Sequence, residues 1–219
     1  MRTKIFFYAD PHFCHEEIIE YCKRPFVNVE EMNETLIKNY NYLVKENDIV
    51  YFLGDVGFDK YDNLKVVFSR LKGKKLLVKG NHDKASKSFY RNLGFFDVVD
   101  SARVAIGKNI KINLQHYPSR NLKETLEVCK CYFFNDEKKR PIKARWNRVK
   151  KELKRYKDFH QSKKYITAHG HVHERFLKRG RNINCSVDVW NFYPVPIDEF
   201  LNLVKNKKVK NKLFKRRNS

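Results

Sequence analysis

No apolar run in this chain approaches the ~20 residues that a membrane-spanning helix needs. The longest one near the start, Ile5 to Ala9, stops at Asp10. That run is also too short for the apolar core of a secretory signal, so a cytoplasmic protein is expected. A disulfide framework is lacking too. The five cysteines are odd in number, and only Cys129 and Cys131 lie close together, without the second pair that a zinc site would need. They suit a reducing compartment and are read as structural or incidental. Internal repeats are absent from the sequence as well. Acidic residues are scarce, 25 against 47 Lys and Arg, for a formal charge of +22.

What is present excludes wholesale disorder: 42% of the residues are apolar and 14% aromatic, with 17 Phe and 12 Tyr. A length of 219 residues is ample for one domain with a sizeable core. The positive charge is concentrated. Residues 138–164 hold 13 Lys or Arg against two acids, Glu152 and Asp158, and residues 205–219 hold eight against none. Removing these two blocks, at +11 and +8, leaves only +3 of the +22 on the rest of the chain. Such blocks face an anionic partner or simply sit in water. The wealth of Lys, Asn, Ile, Phe and Tyr is also what AT-rich coding produces, so composition alone does not make the blocks functional.

Lys4–Ala9, Ile49–Leu53 and Lys75–Lys79 are compact, aromatic or β-branched runs bounded by Gly or Asp, and they read as buried strands. Between them, Val29, Met32, Leu36, Tyr40 and Leu43 recur at three- and four-residue steps. Asn28 and Glu31 have the form of a capping box, so 28–46 is predicted as an amphipathic helix. Leu64, Val67, Phe68 and Leu71 form a second stripe, closed by Gly73 just past the helix end. Strands joined by helical crossovers imply parallel neighbours and an α/β sheet. The second half is richer in strands. Arg103–Ile106 and Ile110–Gln115 form a hairpin around Gly107-Lys-Asn, and Lys164–Ala168 and Ile183–Val189 are further strands. Between these pairs, Trp146, Val149, Leu153 and Tyr156 recur among basic residues as a basic amphipathic helix, inserted on the main domain. The tail after Lys205 lacks an apolar face and is expected to be a frayed helix end or disordered.

Polar, metal-capable residues fall at the ends of these strands. Asp10-Pro-His12 follows the first, Gly54-Asp55 the second and Gly80-Asn81-His82-Asp83 the third. His116 and Gly170-His171-Val172-His173 end two later ones. The carboxyl edge of an open α/β sheet is where sites assemble. Asp, Asn and His suit hard-to-borderline divalent metals. On an extended segment, D-x-H and H-x-H would aim both side chains to one side, because strand side chains alternate. Each motif alone is weak, since Asn and Asp also favour ordinary turns. Their ordered recurrence at five strand ends is what coincidence does not supply.

This ordered set, Asp10-x-His12, Gly54-Asp55, Gly80-Asn81-His82-Asp83, His116 and Gly170-His171-x-His173, resembles the calcineurin-like metallophosphoesterases. Asp10-Pro-His-Phe-Cys-His15, Arg24-Pro-Phe26, Glu31-Met-Asn33 and Ser186-Val-Asp-Val-Trp190 are similar to a compact subgroup of bacteria and phages. The likeness spans about residues 4–120 and 164–200. It implies an α/β fold of two mixed β-sheets packed as a sandwich flanked by helices, a four-layer α/β/β/α arrangement, here with a basic helical insertion. The expected organisation is a metallophosphoesterase domain over 1–204, with the insertion at about 121–163, and a basic tail over 205–219.

The resemblance also implies a site for two divalent metal ions. Asp10, His12 and His173 would bind one, Asn81, His116 and His171 the other, and Asp55 would bridge them. Two such ions clamp the attacking and leaving oxygens of an in-line displacement, and a hydroxide bridging them would be the nucleophile. His82 would be the general acid or a phosphate contact, with Asp83 orienting its imidazole. Manganese is the expected metal, with iron, zinc or nickel as alternatives, because affinity order alone does not choose among them. His15 is read as supporting a ligand, His169 as structural and His160 as exposed. Arg24 and Arg120 are read as phosphate contacts or, with equal weight, as ordinary surface arginines.

The subgroup is usually short after His116-Tyr-Pro118, whereas here 52 residues separate Pro118 from His171, and they carry the basic helix. The expected activity is hydrolysis of a phosphate ester, with a phosphodiester of a nucleotide or nucleic acid favoured. Residues 138–164 and 205–219 are the expected contacts to nucleic acid, and no membrane partner is expected. The alternatives are a nucleic-acid-binding protein with a vestigial site, and a phosphomonoesterase or protein phosphatase.

Overall fold

A computed structural model describes residues 2–107, 109–120, 126, 141–159 and 164–206. The chain divides into two compact units, one of residues 1–118 with 166–219 and one of Ser119–Tyr165. In the first unit, Ile5–Tyr8 (β1), Ile49–Phe52 (β2), Lys74–Val78 (β3) and Phe95–Val99 (β4) run parallel. Val195–Pro196 (β10) adds an antiparallel edge beside β1. A second sheet holds Ala102–Ile106 (β5), Ile110–Leu114 (β6), Ile166–His169 (β7), Lys178–Arg179 (β8) and Asn182–Asn184 (β9), in the order β5-β6-β7-β9-β8. Its two outer pairs are antiparallel and its inner ones parallel. Both sheets are therefore mixed, with flanking helices, as the α/β sandwich requires.

The first sheet is apolar on both faces, which is why its strands are nearly continuous apolar runs. Phe6, Tyr8, Val50, Phe52 and Leu77 share a core with Ile18 of the short helix Glu17–Tyr21 (α1) and with the helices Val29–Leu43 (α2) and Tyr61–Ser69 (α3), meeting Met32, Leu36, Tyr40, Leu64 and Phe68. Phe7, Ala9, Leu53 and Val78 turn the other way and share a core with Ile112, Leu114, Ile166, Ala168 and Ile183 of the second sheet. Fully burying one large apolar side chain contributes roughly 1.5–3 kcal/mol. A one-residue slip of β1 would reverse both sets at once.

Local chemistry sets the element ends. Asn28 caps α2 by accepting the Glu31 N–H at 2.9 Å, and the Glu31 carboxylate accepts the Val27 N–H at 2.7 Å. The helix stops at Leu43 rather than 46, because Asp48 accepts the Lys45 and Lys4 N–H groups, both at 2.8 Å, and turns the chain into β2. Helix α3 likewise ends at Ser69, so Gly73 (φ 78°) opens the turn into β3 instead of closing the helix. The run Ile183–Val189 is not one strand. Asn184 Oδ1 accepts the Ser186 N–H at 3.0 Å, and the chain then enters a 3-10 turn at Val187–Val189.

In the second unit a helix spans Ile142–Phe159. Val149 is buried, while Trp146 and Leu153 are 47% and 37% exposed, so the expected apolar stripe is only partly covered. Cys129, Cys131, His160, the Tyr156 side chain and the tail beyond 206 lie outside the described residues. Among the described residues no helix is long and apolar enough to cross a membrane.

Candidate metal centre

The strand ends meet in backbone conformations that the sequence does not announce. Asp10 (φ 53°), His12 (φ 51°), Asp55 (φ 53°), His171 (φ 71°) and His173 (φ 46°) are all left-handed. They are five of the nine such non-glycine residues among those described. Asp and His tolerate this region better than most residues, yet each such position still costs of order 1 kcal/mol. The D-x-H and H-x-H pairs therefore do not lie on extended segments as expected. Both members of each pair are left-handed, and these backbone bends are what aim the side chains. Two glycines make room. A Cβ on Gly54 (φ 94°) would come within 2.5 Å of His116 Nδ1, and one on Gly170 within 2.6 Å of Asp10 Oδ2.

Asp10, His12 and His173 bring one ligand atom each to within 4.8 Å of one another. Asp10 is fully buried and accepts the His171 N–H with both oxygens, at 3.0 and 2.9 Å. Burial raises its carboxyl above the usual range, against the pull of His173 and His116. His173 Nδ1 donates to Asp188 Oδ2 at 2.7 Å. Burial would lower the His173 pKa, but the Asp188 carboxylate overrides it and pushes it up to about 11. Asp188 in turn is held by Arg24, through Nε at 2.8 Å and Nη2 at 3.1 Å.

Asp55, His116 and His171 form a second group of the same compactness. His116 Nδ1 donates to Leu53 O at 2.8 Å, which turns Nε2 toward the site. There it lies 3.2 Å from Asp55 Oδ2 and 3.1 Å from Asn81 Oδ1. Burial works to lower the His116 pKa, but the Asp55 carboxylate raises it to about 9. Asp55 Oδ2 also lies 3.9 Å from His12 Nε2, so one oxygen stands between the two groups. Its Oδ1 accepts the His82 N–H at 2.9 Å. Burial raises the Asp55 carboxyl, but His116 and this amide together hold it well below the usual range.

These residues fit divalent cations. His12 Nε2 is buried without a hydrogen-bond partner among the described residues, on a ring whose Nδ1 is 3.0 Å from His15 Nδ1. His116 Nε2 faces two oxygens, and a ring nitrogen between acceptors needs a proton or a metal. Oxygen and imidazole donors in these numbers suit manganese, iron, zinc or nickel.

Other expected residues stand elsewhere or act differently. The His15 ring reaches His12, as a supporting residue would. His82 is exposed at the rim. Asp83 does not orient its imidazole. Its Oδ2 accepts the Asp55 and Gly80 N–H groups, both at 2.7 Å, and its Oδ1 that of Val56 at 3.1 Å. Arg24 is no phosphate contact and no surface arginine: its side chain is fully buried. All five of its N–H donors are engaged, by Asp188 twice, Asp10 O, Pro11 O and Met32 Sδ. Arg120 is half-buried and belongs to the other unit. His169 is buried, with Nδ1 donating to Gly170 O at 2.8 Å. Asp188 and Tyr117 had no expected role, although both lie in noted motifs. The Tyr117 hydroxyl donates to Asn81 Oδ1 at 3.2 Å. Cys22 adds a thiol beside His173 and Asp188.

A sandwich of two mixed sheets whose strand ends gather Asp, Asn and His defines a metallophosphoesterase type of protein. The chain belongs to the calcineurin-like phosphoesterase family, whose model matches residues 3–214. An uncharacterized protein of Methanocaldococcus jannaschii is 33% identical over 215 residues, 94% of each chain. A crystal structure of a protein of unknown function from Aquifex aeolicus shares the fold. It has a TM-score of 0.61 and 24% identity, and the match covers 92% of this chain and all of that one.

Proposed function

We propose that the protein is a two-metal phosphoesterase that cleaves a phosphodiester of a nucleotide or nucleic acid. Asp10, His12 and His173 would hold one ion, Asn81, His116 and His171 the other, and Asp55 would be shared. Manganese is the metal we favour. The observation that carries the reading is the Asp55 Oδ2 oxygen standing between His116 Nε2 and the buried His12 Nε2, which has no hydrogen-bond partner among the described residues. When bound, the ions would supply an ionised water at neutral pH and positive charge for the transferring phosphoryl group.

The chain's own residues do the rest. Asp188 and Leu53 O hold the His173 and His116 rings by their Nδ1 atoms, which leaves each Nε2 for a ligand role. His82, exposed beside Asn81, would give a proton to the leaving oxygen. Every donor expected as a ligand is present, which disfavours a vestigial site. The basic blocks favour an anionic polymer or nucleotide over a small monoester.

The test is hydrolysis of bis(p-nitrophenyl) phosphate with Mn²⁺ by the wild type, Asp55→Ala and His116→Ala. Metal catalysis worth several kcal/mol predicts a loss of about 10³-fold in kcat for each variant. Turnover within tenfold of the wild type in either variant would sink the two-metal reading. A panel of cyclic nucleotides, single-stranded DNA and RNA, and phosphomonoesters then decides the substrate.

A further inference from the structure

His82 holds its place without the device that usually orients a proton-donating imidazole. Its neighbour Asp83 is occupied by three main-chain N–H groups, and no hydrogen bond reaches the His82 ring among the described residues. Two rings flank it instead. Phe58 lies 4.7 Å away, centroid to centroid, at 56°, and His12 lies 5.9 Å away at 62°. Phe58 is itself stacked against His15 at 4.3 Å and 22°, and parallel to His12 at 5.8 Å and 7°. Its N–H donates to Phe13 O at 2.9 Å, which ties it to the segment just after His12. With three histidine rings around it, Phe58 is a buttress and not a free platform for a substrate base.

We propose that Phe58 is the positioning residue for His82, its ring selecting the rotamer from which the imidazole meets the leaving oxygen. The inference rests on the reading of His82 as proton donor. In that step the attacking water oxygen bonds to phosphorus as the bond to the leaving oxygen breaks. The leaving oxygen keeps the bonding pair and takes a proton from His82. His82 is reprotonated from solvent, which receives the proton shed by the water. A positioned acid matters most when the leaving group is basic, and a misplacement of about 1 Å costs orders of magnitude.

The experiment uses the Mn²⁺-loaded full chain and methyl aryl phosphate diesters whose leaving groups run from p-nitrophenol to phenol. Phe58→Leu keeps the apolar bulk without the ring, and Phe58→Tyr keeps the ring. For Phe58→Leu we expect a loss of about tenfold in kcat on the phenol ester and less than about threefold on the p-nitrophenol ester. KM should hardly move. Phe58→Tyr should restore the wild-type pattern, and His82→Ala should show the same leaving-group dependence more steeply. Crystal structures of metal-free Phe58→Leu should show the His82 ring in more than one rotamer. Equal losses on both esters, or no loss while His82→Ala shows the pattern, would overturn the proposal, as would a single unchanged His82 rotamer. If His82→Ala itself lacks leaving-group dependence, the proton-donor reading fails instead, and the rotamers still decide whether Phe58 holds the ring.

Discussion

The two groups of candidate ligands are braced by different parts of the chain. Around Asp10, His12 and His173 the braces are mostly side chains, the His171 N–H on the Asp10 carboxylate being the main-chain exception. Asp188 grips His173, Arg24 grips Asp188 and the carbonyls of Asp10 and Pro11, and His15 meets His12. Around Asp55, Asn81 and His116 main-chain groups take a larger share, beside the Asp83 carboxylate and the Tyr117 hydroxyl. Leu53 O holds the His116 ring, and the amides of Asp55, Val56 and Gly80 converge on Asp83. A side-chain brace can be cut by one substitution, whereas a carbonyl or amide persists whatever residue bears it. The first group should therefore be the more fragile.

Cutting the brace that Arg24 and Asp188 make together gives the largest expected effects. Asp188→Asn should weaken the binding of one Mn²⁺ of two by about 10–100-fold, read by isothermal titration calorimetry. Arg24→Met should go further and destabilise the fold by roughly 3–5 kcal/mol in urea unfolding, because it strands a buried carboxylate. Equal weakening at both metal steps would erase the distinction between the groups.

Asp83→Asn probes the other side. An amide nitrogen does not accept an N–H bond, so the loss should be roughly 1.5–3 kcal/mol of stability, with the Asp55 turn loosened. An unchanged melting temperature would mean that the turn stands without its carboxylate. His15→Gln touches a brace at its edge, and the Mn²⁺ affinity of the first group should fall by less than about tenfold. The smallest effect on turnover is expected far along the chain. Reversing Lys150, Lys151 and Lys154 to Glu should leave bis(p-nitrophenyl) phosphate hydrolysis unchanged. Single-stranded nucleic-acid affinity should weaken and its salt slope flatten. An unaltered slope would make the basic helix a solvated surface.

The difference between the groups also explains what could be read from residues alone. The donors at the strand ends were legible because apolar runs of four or five residues stop at Asp, Asn or His, and such stops lie within a few positions. Their aim was not. The alternation rule treats Asp10-x-His12 as extended, but its residues have φ near 50°, imposed by hydrogen bonds to Gly54 O and Asp55 O on the neighbouring strand end. Arg24 could be read as a phosphate contact because a guanidinium is equally suited to a phosphate and to a carboxylate. The partner it took, Asp188, is 164 positions away.

The sequence by itself determined the sandwich-forming runs, the cap of α2, the hairpin pairing of β5 with β6 and the inventory of metal-capable side chains. These depend on periodicity and on neighbours a few residues apart. Only the tertiary structure decided which donor faces which. It set Asp55 between His12 and His116, gave Asp188 to His173, moved Asp83 from its imidazole to the backbone, and brought Phe58 against His82. Those pairings are made where distant segments cross, and their energies come from burial and desolvation that no local stretch of sequence contains.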